Sequence, residues 1–206
     1  MAHFPMFVDI KDRRCLVVGG GNVAHRKVET LLKYGADVLV IAHEIADSIC
    51  ELLPEDCRRT GEVTEEEMEK AFLVIAATGS RQENHRIAVF CHEKRIPVNV
   101  IDCPEECTFL FPAVVKRGTI SIGINTGASS PGVSRRIRRQ IQEEIPEYYG
   151  DIALQIGQLR EELKETISAE KQRRAVLSAV ADRAFHEGRT LTQEEIQEII
   201  RQEMIL

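Results

Sequence analysis

A glycine-rich turn between an apolar run and a helical pattern constrains the fold of this chain more than any other feature. Residues 19–24 read Gly-Gly-Gly-Asn-Val-Ala, a G-x-G-x-x-A pattern. The run Cys15–Val18 before it is typical of a buried strand, and the apolar positions of Val23–Tyr34 after it fit one face of a helix. A strand, a glycine turn and a helix in this order are typical of a dinucleotide-binding α/β domain.

The small residues of this turn each suit the binding of a dinucleotide. Gly19 allows the tight turn, Gly21 lets the backbone approach a pyrophosphate, and Ala24 lets the helix pack closely on the strand. The helix N-terminus at Asn22 and Val23 supplies backbone donors and partial positive charge for phosphate. The sequence therefore predicts that these residues bind a dinucleotide, and the alternative is that the glycines only form a turn.

The alternation of strands and helices continues beyond this turn. β-branched runs at 38–41, 72–76 and 97–101 predict three further strands. A helical pattern at 84–93 separates the last two of them. The predicted fold class is therefore α/β, with a Rossmann-like, doubly wound parallel sheet that occupies residues 1–114.

Polar residues lie at the carboxyl ends of these strands, where ligands bind in an open α/β sheet. Glu44 lies twenty positions past Ala24, near the place where an acidic residue usually binds the adenosine ribose. A charge in the first turn of a helix is an equally good interpretation, so Glu44 gives only weak support for NAD over NADP. Thr78, Gly79 and Asn99 are the other predicted cofactor-binding residues.

Asp102 follows the last predicted strand, beside the expected nicotinamide crevice. A carboxylate at this place can accept a proton, although most aspartates are hydrated loop charges, and we predict Asp102 as the catalytic acid/base group. Cys103 and Cys107 nearby are separated by three residues, unlike the common Cys-x-x-Cys zinc pair. No metal site is predicted.

The pattern changes after the predicted sheet. Short strands are predicted at 108–111, 113–115 and 119–124, the last two joined by a turn at Lys116–Gly118. Ser130 and Pro131 are then typical of the N-cap and first residue of a helix that runs to Pro146.

Residues 148–206 contain no strand signal. Ile152, Ile156, Leu159 and Leu163 form an apolar stripe at helical spacing. The last predicted helix begins with a capping box at Thr192 and Glu195 and a staple between Leu191 and Ile196. This part of the chain is predicted to be a small helical domain.

The composition of the chain limits which partners it can bind and in which cellular compartment it is expected. The chain has 27 basic and 33 acidic residues and a net charge of −6, which argues against a surface that tracks nucleic acid. No apolar run is long enough for a membrane span, and the first charges follow the apolar opening, opposite to a signal peptide. The six cysteines are interpreted as reduced thiols, so we expect a cytoplasmic protein.

Several separated blocks resemble one family, the precorrin-2 dehydrogenases of siroheme biosynthesis, some of which are also sirohydrochlorin ferrochelatases. The resemblance covers nearly the whole chain. Its blocks are Phe4–Asp9, Val17–Lys27, Ala77–Asn84, Asn99–Asp102, Cys107–Phe109, Phe111–Ala113, Arg117–Gly118 and Asn125–Pro131, followed by Arg135, Ile137 and Arg138.

This resemblance implies oxidation of precorrin-2 to sirohydrochlorin, with a hydride transferred to NAD and a proton to Asp102. In bifunctional members the same carboxylate also serves the insertion of Fe²⁺, and the sequence does not separate the two variants. The family further implies an intertwined homodimer in which residues 115–147 form the dimerisation segment. No nucleic-acid or membrane partner is expected.

The substrate carries many carboxylates, which backbone donors and guanidinium groups can bind. The four arginines after the predicted helix N-terminus span more than one helical face, so some are solvated or paired with Glu143 and Glu144. Thr126 stands where other family members have serine. The predicted substrate-binding residues are Thr126, Gly127, Ser129, Ser130, Arg135 and Arg138.

A function of another class remains as an alternative. The chain could be a dinucleotide-sensing regulatory module whose helical tail relays cofactor occupancy to a protein or nucleic-acid partner. The arginine cluster favours this alternative, and the acidic net charge and the chain-wide resemblance argue against it.

Overall fold

The computed structural model describes residues 3–127 and 130–205. The chain forms two compact units, one of residues 4–111 and one that contains residues 112–205. The first unit is an α/β layer structure, and the second combines a β-hairpin with four helices.

A five-stranded parallel sheet forms the centre of the first unit. Its strands are β1 (Arg14–Val18), β2 (Asp37–Ala42), β3 (Arg58–Thr60), β4 (Leu73–Ala76) and β5 (Val98–Val100). They are arranged in the order β3-β2-β1-β4-β5, and every neighbouring pair is parallel. The helices are α1 (Asn22–Lys33), α2 (Asp47–Cys50), α3 (Glu65–Glu69) and α4 (Arg81–Lys94). The predicted Rossmann-like α/β fold is confirmed.

Both faces of this sheet are buried, which explains why its central strands read as continuous apolar runs. On one face, Ala24, Val28 and Leu31 of α1 pack in the cluster that contains Val17 and Ile75. On the other face, residues of α4 pack against the opposite side chains of β1 and β4. The core therefore holds α1 firmly beside the end of β1.

The order of the strands reverses at β1, which pairs with β2 on one side and β4 on the other. Val18, the last residue of β1, pairs with Ile41 of β2 and Ala76 of β4. The carboxyl ends of β1 and β4 therefore flank the crevice in which ligands of doubly wound sheets bind.

The prediction of a strand at 108–111 is wrong. Thr108 donates its backbone N–H to the Val98 carbonyl, and its hydroxyl Oγ1 accepts the Val98 N–H at 2.7 Å. The next carbonyl, of Phe109, accepts a hydrogen bond from the side chain of Asn99. Because side chains replace the backbone ladder here, the segment follows β5 without forming a sixth strand.

The second unit begins with an antiparallel hairpin of β6 (Ala113–Arg117) and β7 (Ile120–Ile124). The predicted turn is displaced, because Lys116 and Arg117 pair with β7 and the connection is Gly118–Thr119. Gly118 has a φ of +53°, a conformation that glycine adopts at little cost.

Four helices follow the hairpin. They are α5 (Pro131–Glu144), α6 (Tyr148–Thr166), α7 (Glu170–Glu187) and α8 (Gln193–Ile205). The predicted stripe on α6 is confirmed, since Ile152, Leu159 and Leu163 are buried in the core that α6 shares with α7 and α8. The predicted capping box also forms, with Thr192 and Glu195 exchanging hydrogen bonds at the start of α8. Across the described residues, these helices are all too short or too polar to span a membrane.

Candidate functional site

The glycine turn after β1 packs so tightly that side chains cannot enter it. Gly19 has a φ of +133°, and a Cβ there would lie 2.1 Å from the Ala77 carbonyl oxygen. A Cβ at Gly20 would lie 1.9 Å from the carbonyl oxygen of Glu44. The predicted need for glycine at position 19 therefore has a geometric basis, and Gly20 is a further requirement that the motif did not reveal.

Gly21 differs from Gly19 and Gly20 because the space that a side chain at position 21 would occupy is open. A Cβ at this position would have no atom within 4 Å. Gly21 is the N-cap of α1, no side chain caps this helix, and its first turn contains no acidic residue. Asn22 and Val23 are exposed, whereas Ala24 is fully buried against the sheet. The turn thus offers backbone donors and free space of the kind that a dinucleotide pyrophosphate requires.

Glu44 lies two residues beyond the end of β2 and is exposed. The segment that contains it packs on the glycine turn, since Ala46 donates its backbone N–H to the Gly20 carbonyl at 2.9 Å. Glu44 is therefore adjacent to the turn. The role of its carboxylate toward a ribose stays a prediction.

Thr78 and Asn84 together fix the loop after β4. The Thr78 backbone N–H donates to Asn84 Oδ1 at 3.1 Å, and the Thr78 hydroxyl lies 2.7 Å from the same oxygen. Asn84 is buried, and Ser80 between them caps α4. A Cβ at Gly79 would meet no atom within 4 Å. The hydroxyl of Thr78 is thus bound within the loop, while Gly79 leaves its outer side open.

Asp102 lies in a cleft of about 280 Å³ beyond the carboxyl ends of β4 and β5. Its backbone is left-handed with a φ of +57°, a conformation that aspartate tolerates better than most residues. The side chain is exposed, and within residues 3–127 and 130–205 its carboxylate has no hydrogen bond or ion pair. The cleft is lined by Thr78, Gly79, Arg81, Asn84, Val100, Ile101, Asp102, Cys103 and Glu106.

The cleft also contains the carboxylate of Glu106, which is already bound. Glu106 Oε1 lies 2.6 Å from Nδ1 of His85, and the Glu106 carbonyl contacts the ring of His92 at 3.0 Å. Asp102 is therefore the carboxylate of this cleft that remains free to take a proton from a ligand.

Asn99 is almost completely buried and holds the segment after the cleft. Its amide donates to the Phe109 carbonyl at 3.0 Å and lies 3.6 Å from the thiol of Cys107. Cys107 in turn contacts the backbone N–H of Val100, with Sγ at 3.1 Å. The structure thus shows Asn99 in a positioning role, and contact of Asn99 with a cofactor stays a prediction.

Lys27 also lies in this region; the sequence leaves it, with His25 and Arg26, as either a phosphate contact or part of a solvated helix face, and it is not among the predicted site residues. Its Nζ lies 3.9 Å from the ring centroid of Phe111, and burial lowers the pKa of Lys27 to about 8. The signal was present in the sequence, because Ala24 and Leu31 are three and four residues away and mark the inner face of the same helix.

The second unit contains the predicted substrate-binding residues. The Thr126 hydroxyl lies 2.6 Å from that of Ser134, and the Gly127 N–H donates to Asn125 Oδ1. Gly127 has a φ of +64°, and Ser130 caps α5 by accepting the Val133 N–H, as predicted for an N-cap. Ser129 lies outside the described residues.

Arg135 and Arg138 lie on α5 with two further arginines, and all four are exposed. Among the ion pairs of the described residues none involves these four side chains, so the alternative of pairing with Glu143 and Glu144 is not realised there. Four unneutralised guanidinium groups form an anion-attracting surface in the first three turns of the helix. The cluster comprises Arg135, Arg136, Arg138 and Arg139.

The fold and the open glycine turn together define a dinucleotide-binding α/β domain. Comparison with known proteins agrees, because a family described as putative NAD(P)-binding matches residues 6–113. The chain belongs to this NAD(P)-binding family.

Curated relatives are named siroheme synthases. The protein of Nitrosospira multiformis is 38% identical over 193 residues, which cover 91% of this chain and 41% of the relative. That of Methylobacillus flagellatus is 38% identical over 176 residues, covering 84% of this chain and 38% of the relative. The chain thus spans about two fifths of the length of these relatives.

A solved structure, that of SirC, precorrin-2 dehydrogenase, has the same fold. Its TM-score is 0.77 at 23% identity, and the match covers 99% of this chain and 100% of SirC. At this identity the similarity shows the fold alone.

Proposed function

We propose that the protein is an NAD-dependent precorrin-2 dehydrogenase that forms sirohydrochlorin in siroheme biosynthesis. The observation that carries this proposal is the free carboxylate of Asp102 in a cleft at the same sheet edge as the open glycine turn. The names of the relatives, siroheme synthase and precorrin-2 dehydrogenase, indicate the substrate class.

Residues of the glycine turn bind the dinucleotide in this proposal. The pyrophosphate contacts the backbone donors of Asn22 and Val23, and the absence of a side chain at Gly21 lets it approach. Glu44 contacts the adenosine ribose. Thr78, Gly79 and Asn99 form the side of the dinucleotide site opposite the glycine turn. When bound, NAD supplies the hydride acceptor.

Asp102 accepts the proton that leaves the substrate. Oxidation of precorrin-2 to sirohydrochlorin removes one hydride and one proton, so the protein needs a base in addition to the cofactor. The exposed position of Asp102 then allows the proton to pass to water, which restores the carboxylate for the next cycle.

The second unit binds the carboxylates of the substrate. Ser130 is the N-cap of α5, and the arginines of α5 are not neutralised by described residues. Guanidinium groups bind carboxylates in a bidentate manner, so a substrate with many carboxylates suits this surface. We propose Thr126, Gly127, Ser129, Ser130, Arg135 and Arg138 as the binding residues.

An anaerobic assay with precorrin-2 and NAD tests the function. The wild-type protein should form NADH and sirohydrochlorin together, and Asp102→Asn should lower kcat by about 10²- to 10⁴-fold, the usual contribution of one acid/base group. NAD affinity should stay unchanged in this variant. Glu105→Gln, which removes an exposed carboxylate three residues away, is the matched control and should keep full activity.

Two results would overturn this assignment. Full activity in Asp102→Asn would remove Asp102 from the chemistry. Absence of any reaction in a folded, NAD-binding wild type would instead favour the dinucleotide-sensing module.

A bifunctional enzyme is the second candidate, because the free carboxylate of Asp102 also suits removal of pyrrole protons during Fe²⁺ insertion. In the part of the chain that the structure describes, no group of three or more His, Cys, Asp or Glu side chains is arranged to hold a metal ion. The tetrapyrrole nitrogens would then receive the ion directly. Addition of Fe²⁺ to sirohydrochlorin with and without the protein tests this activity: a faster loss of the free tetrapyrrole spectrum supports it.

We also propose a homodimer formed through residues 115–147. Val133 of α5 is 48% exposed, and Ile137 and Ile141 follow it at helical spacing without being buried. A second copy that covers this apolar stripe would remove it from water. Light scattering should give twice the chain mass, and Val133→Glu should shift the protein toward the monomer; a wild type that is monomeric at micromolar concentration would contradict the dimer.

We place the protein in the cytoplasm, on the ground of its thiols. All six cysteines are free, and burial raises the pKa of both Cys15 and Cys91 to about 11. Unpaired cysteines in this number suit a reducing compartment. Fractionation of cells that express the intact protein tests this assignment.

A further inference from the structure

Lys27 is a half-buried cation on the inner face of α1 that has no anionic partner among residues 3–127 and 130–205. Its Nζ lies over the Phe111 ring at 3.9 Å from the centroid. No carboxylate of the described residues forms an ion pair with Lys27, and no hydrogen bond to its Nζ is present among them. Removing an ammonium group from water without an opposite charge costs free energy, which the ring offsets only in part.

Other lysines of the same unit show the ordinary arrangement. Lys94 also lies near a ring, that of Phe90 at 5.6 Å, yet its Nζ forms an ion pair with Glu69 at 2.6 Å. Lys70, which is far more exposed than Lys27, pairs with Glu66. Lys27 therefore differs from them in being more buried and yet unpaired.

The position of Lys27 connects the two parts of the candidate site. It lies in the second turn of α1, and long helical side chains lean toward the helix N-terminus, which here is the glycine turn. From the other side it faces the segment 107–111, which supplies the Phe111 ring and the Cys107 thiol. Cys107 contacts the backbone of Val100, and Val100 lines the cleft of Asp102.

We propose that Lys27 binds an oxyanion of a bound ligand, either a phosphate of the dinucleotide or a carboxylate of the tetrapyrrole. This inference rests on the proposed function and adds a binding residue to it. The ammonium group donates to the oxyanion, and the Phe111 ring below it holds the side chain in place. The ligand thus supplies the negative charge that none of the described residues places against Lys27.

The proposal has a pH signature. Burial lowers the pKa of Lys27 to about 8, and the titratable group that faces it from the neighbouring segment is the Cys107 thiol, whose own pKa burial raises. Only the protonated amine binds an oxyanion strongly. Affinity should therefore fall as the pH rises through about 8 in the wild type, with the anionic ligand itself moving the midpoint upward.

Equilibrium binding to three variants of the full chain tests the proposal. NAD is titrated by calorimetry, and sirohydrochlorin by its absorbance. Lys27→Met should lower the affinity for one of the two ligands by about 10- to 100-fold at pH 7, which is the loss expected for one hydrogen bond to a charged group. Lys27→Arg should restore most of the affinity and remove the fall near pH 8. Lys33→Met, at the exposed end of the same helix, is the control and should change neither ligand.

The ligand whose affinity falls identifies the oxyanion. A loss for NAD indicates a phosphate, and a loss for sirohydrochlorin indicates a carboxylate. Unchanged affinity for both ligands in Lys27→Met would overturn the proposal, as would equal losses in the Met and Arg variants. Because both measurements are equilibrium binding, they give an answer for Lys27 even where the turnover assay of the proposed function fails.

Discussion

The backbone of Gly20 lies so close to Glu44 that a Cβ on Gly20 would be 1.9 Å from the Glu44 carbonyl oxygen. The contact is reinforced by a hydrogen bond of 2.9 Å from the Ala46 N–H to the Gly20 carbonyl. Both partners are backbone, so neither can move aside as a flexible side chain would. This approach joins the glycine turn to the segment that follows β2 and sets the position of Glu44.

We therefore expect Gly20→Ala to destabilise the fold itself. The added methyl group must displace the loop after β2, and overpacking of this kind costs about 1–3 kcal/mol. Urea denaturation should show a lower free energy of unfolding together with weaker NAD binding. Unchanged stability in Gly20→Ala would show that the loop relaxes without cost.

Gly21→Ala should have the opposite pattern. Its methyl group enters open space, and the backbone at Gly21 has a φ of −93°, which alanine adopts readily. The free energy of unfolding should fall by only about 1 kcal/mol, the loss expected when a good N-cap residue is replaced by alanine, because the methyl group itself meets no atom. NAD affinity should fall at least about tenfold, since the methyl group occupies the space of the pyrophosphate. A calorimetric titration that gives wild-type affinity would contradict the placement of the cofactor.

A second glycine pair tests the packing of the second unit. A Cβ at Gly150, in α6, would lie 2.5 Å from the carbonyl carbon of Arg117, where the hairpin turn meets the helix. A Cβ at Gly157 in the same helix would meet nothing within 4 Å. Gly150→Ala should therefore lower the free energy of unfolding. Gly157→Ala should raise the free energy of unfolding by about 0.5–1 kcal/mol, because alanine has the better helix propensity. Equal effects of the two substitutions would exclude the close approach.

The unpaired charge of Lys27 should make stability depend on pH. Its pKa is lowered from 10.5 to about 8 in the folded protein, so between these values the unfolded chain binds more protons. Stability of the wild type should rise with pH across this range relative to Lys27→Met, which cannot titrate at this position. Urea denaturation of both proteins at pH 7, 9 and 10 measures the difference. Parallel stabilities over this range would show that the folded-state pKa of Lys27 is not lowered.

Two elements show why the sequence predicted some parts of the fold and missed others. The edge strand β3 consists of Arg58, Arg59 and Thr60, which are polar and carry no strand pattern; it forms because β2 offers free backbone groups beside it. The segment 108–111 has the opposite property, since its apolar residues are typical of a strand but its partner groups are taken by side chains of Thr108 and Asn99.

The candidate site shows the same division. Asp102 and the glycine turn were predicted because an acidic residue after a strand and a G-x-G-x-x-A pattern are visible in consecutive residues. The sequence left Lys27 open between a phosphate contact and a solvated helix face, and Asn84 was not among the predicted site residues. The roles of both depend on Phe111 and Thr78, which lie far along the chain or across a loop. Contacts between residues that are not neighbours in the chain leave no pattern within one short window of sequence.

The sequence by itself determined the central strands, the turn that begins α1, and the capping box of α8, because apolar periodicity and capping are properties of neighbouring residues. Only the tertiary structure decided that Gly20 must be glycine and that Lys27 is half-buried. It also decided that, among the residues described, the Glu106 carboxylate is bound while Asp102 and Lys27 have no partner of opposite charge. These features arise from groups that folding brings together, so their energies depend on packing and on the exclusion of water rather than on local preference.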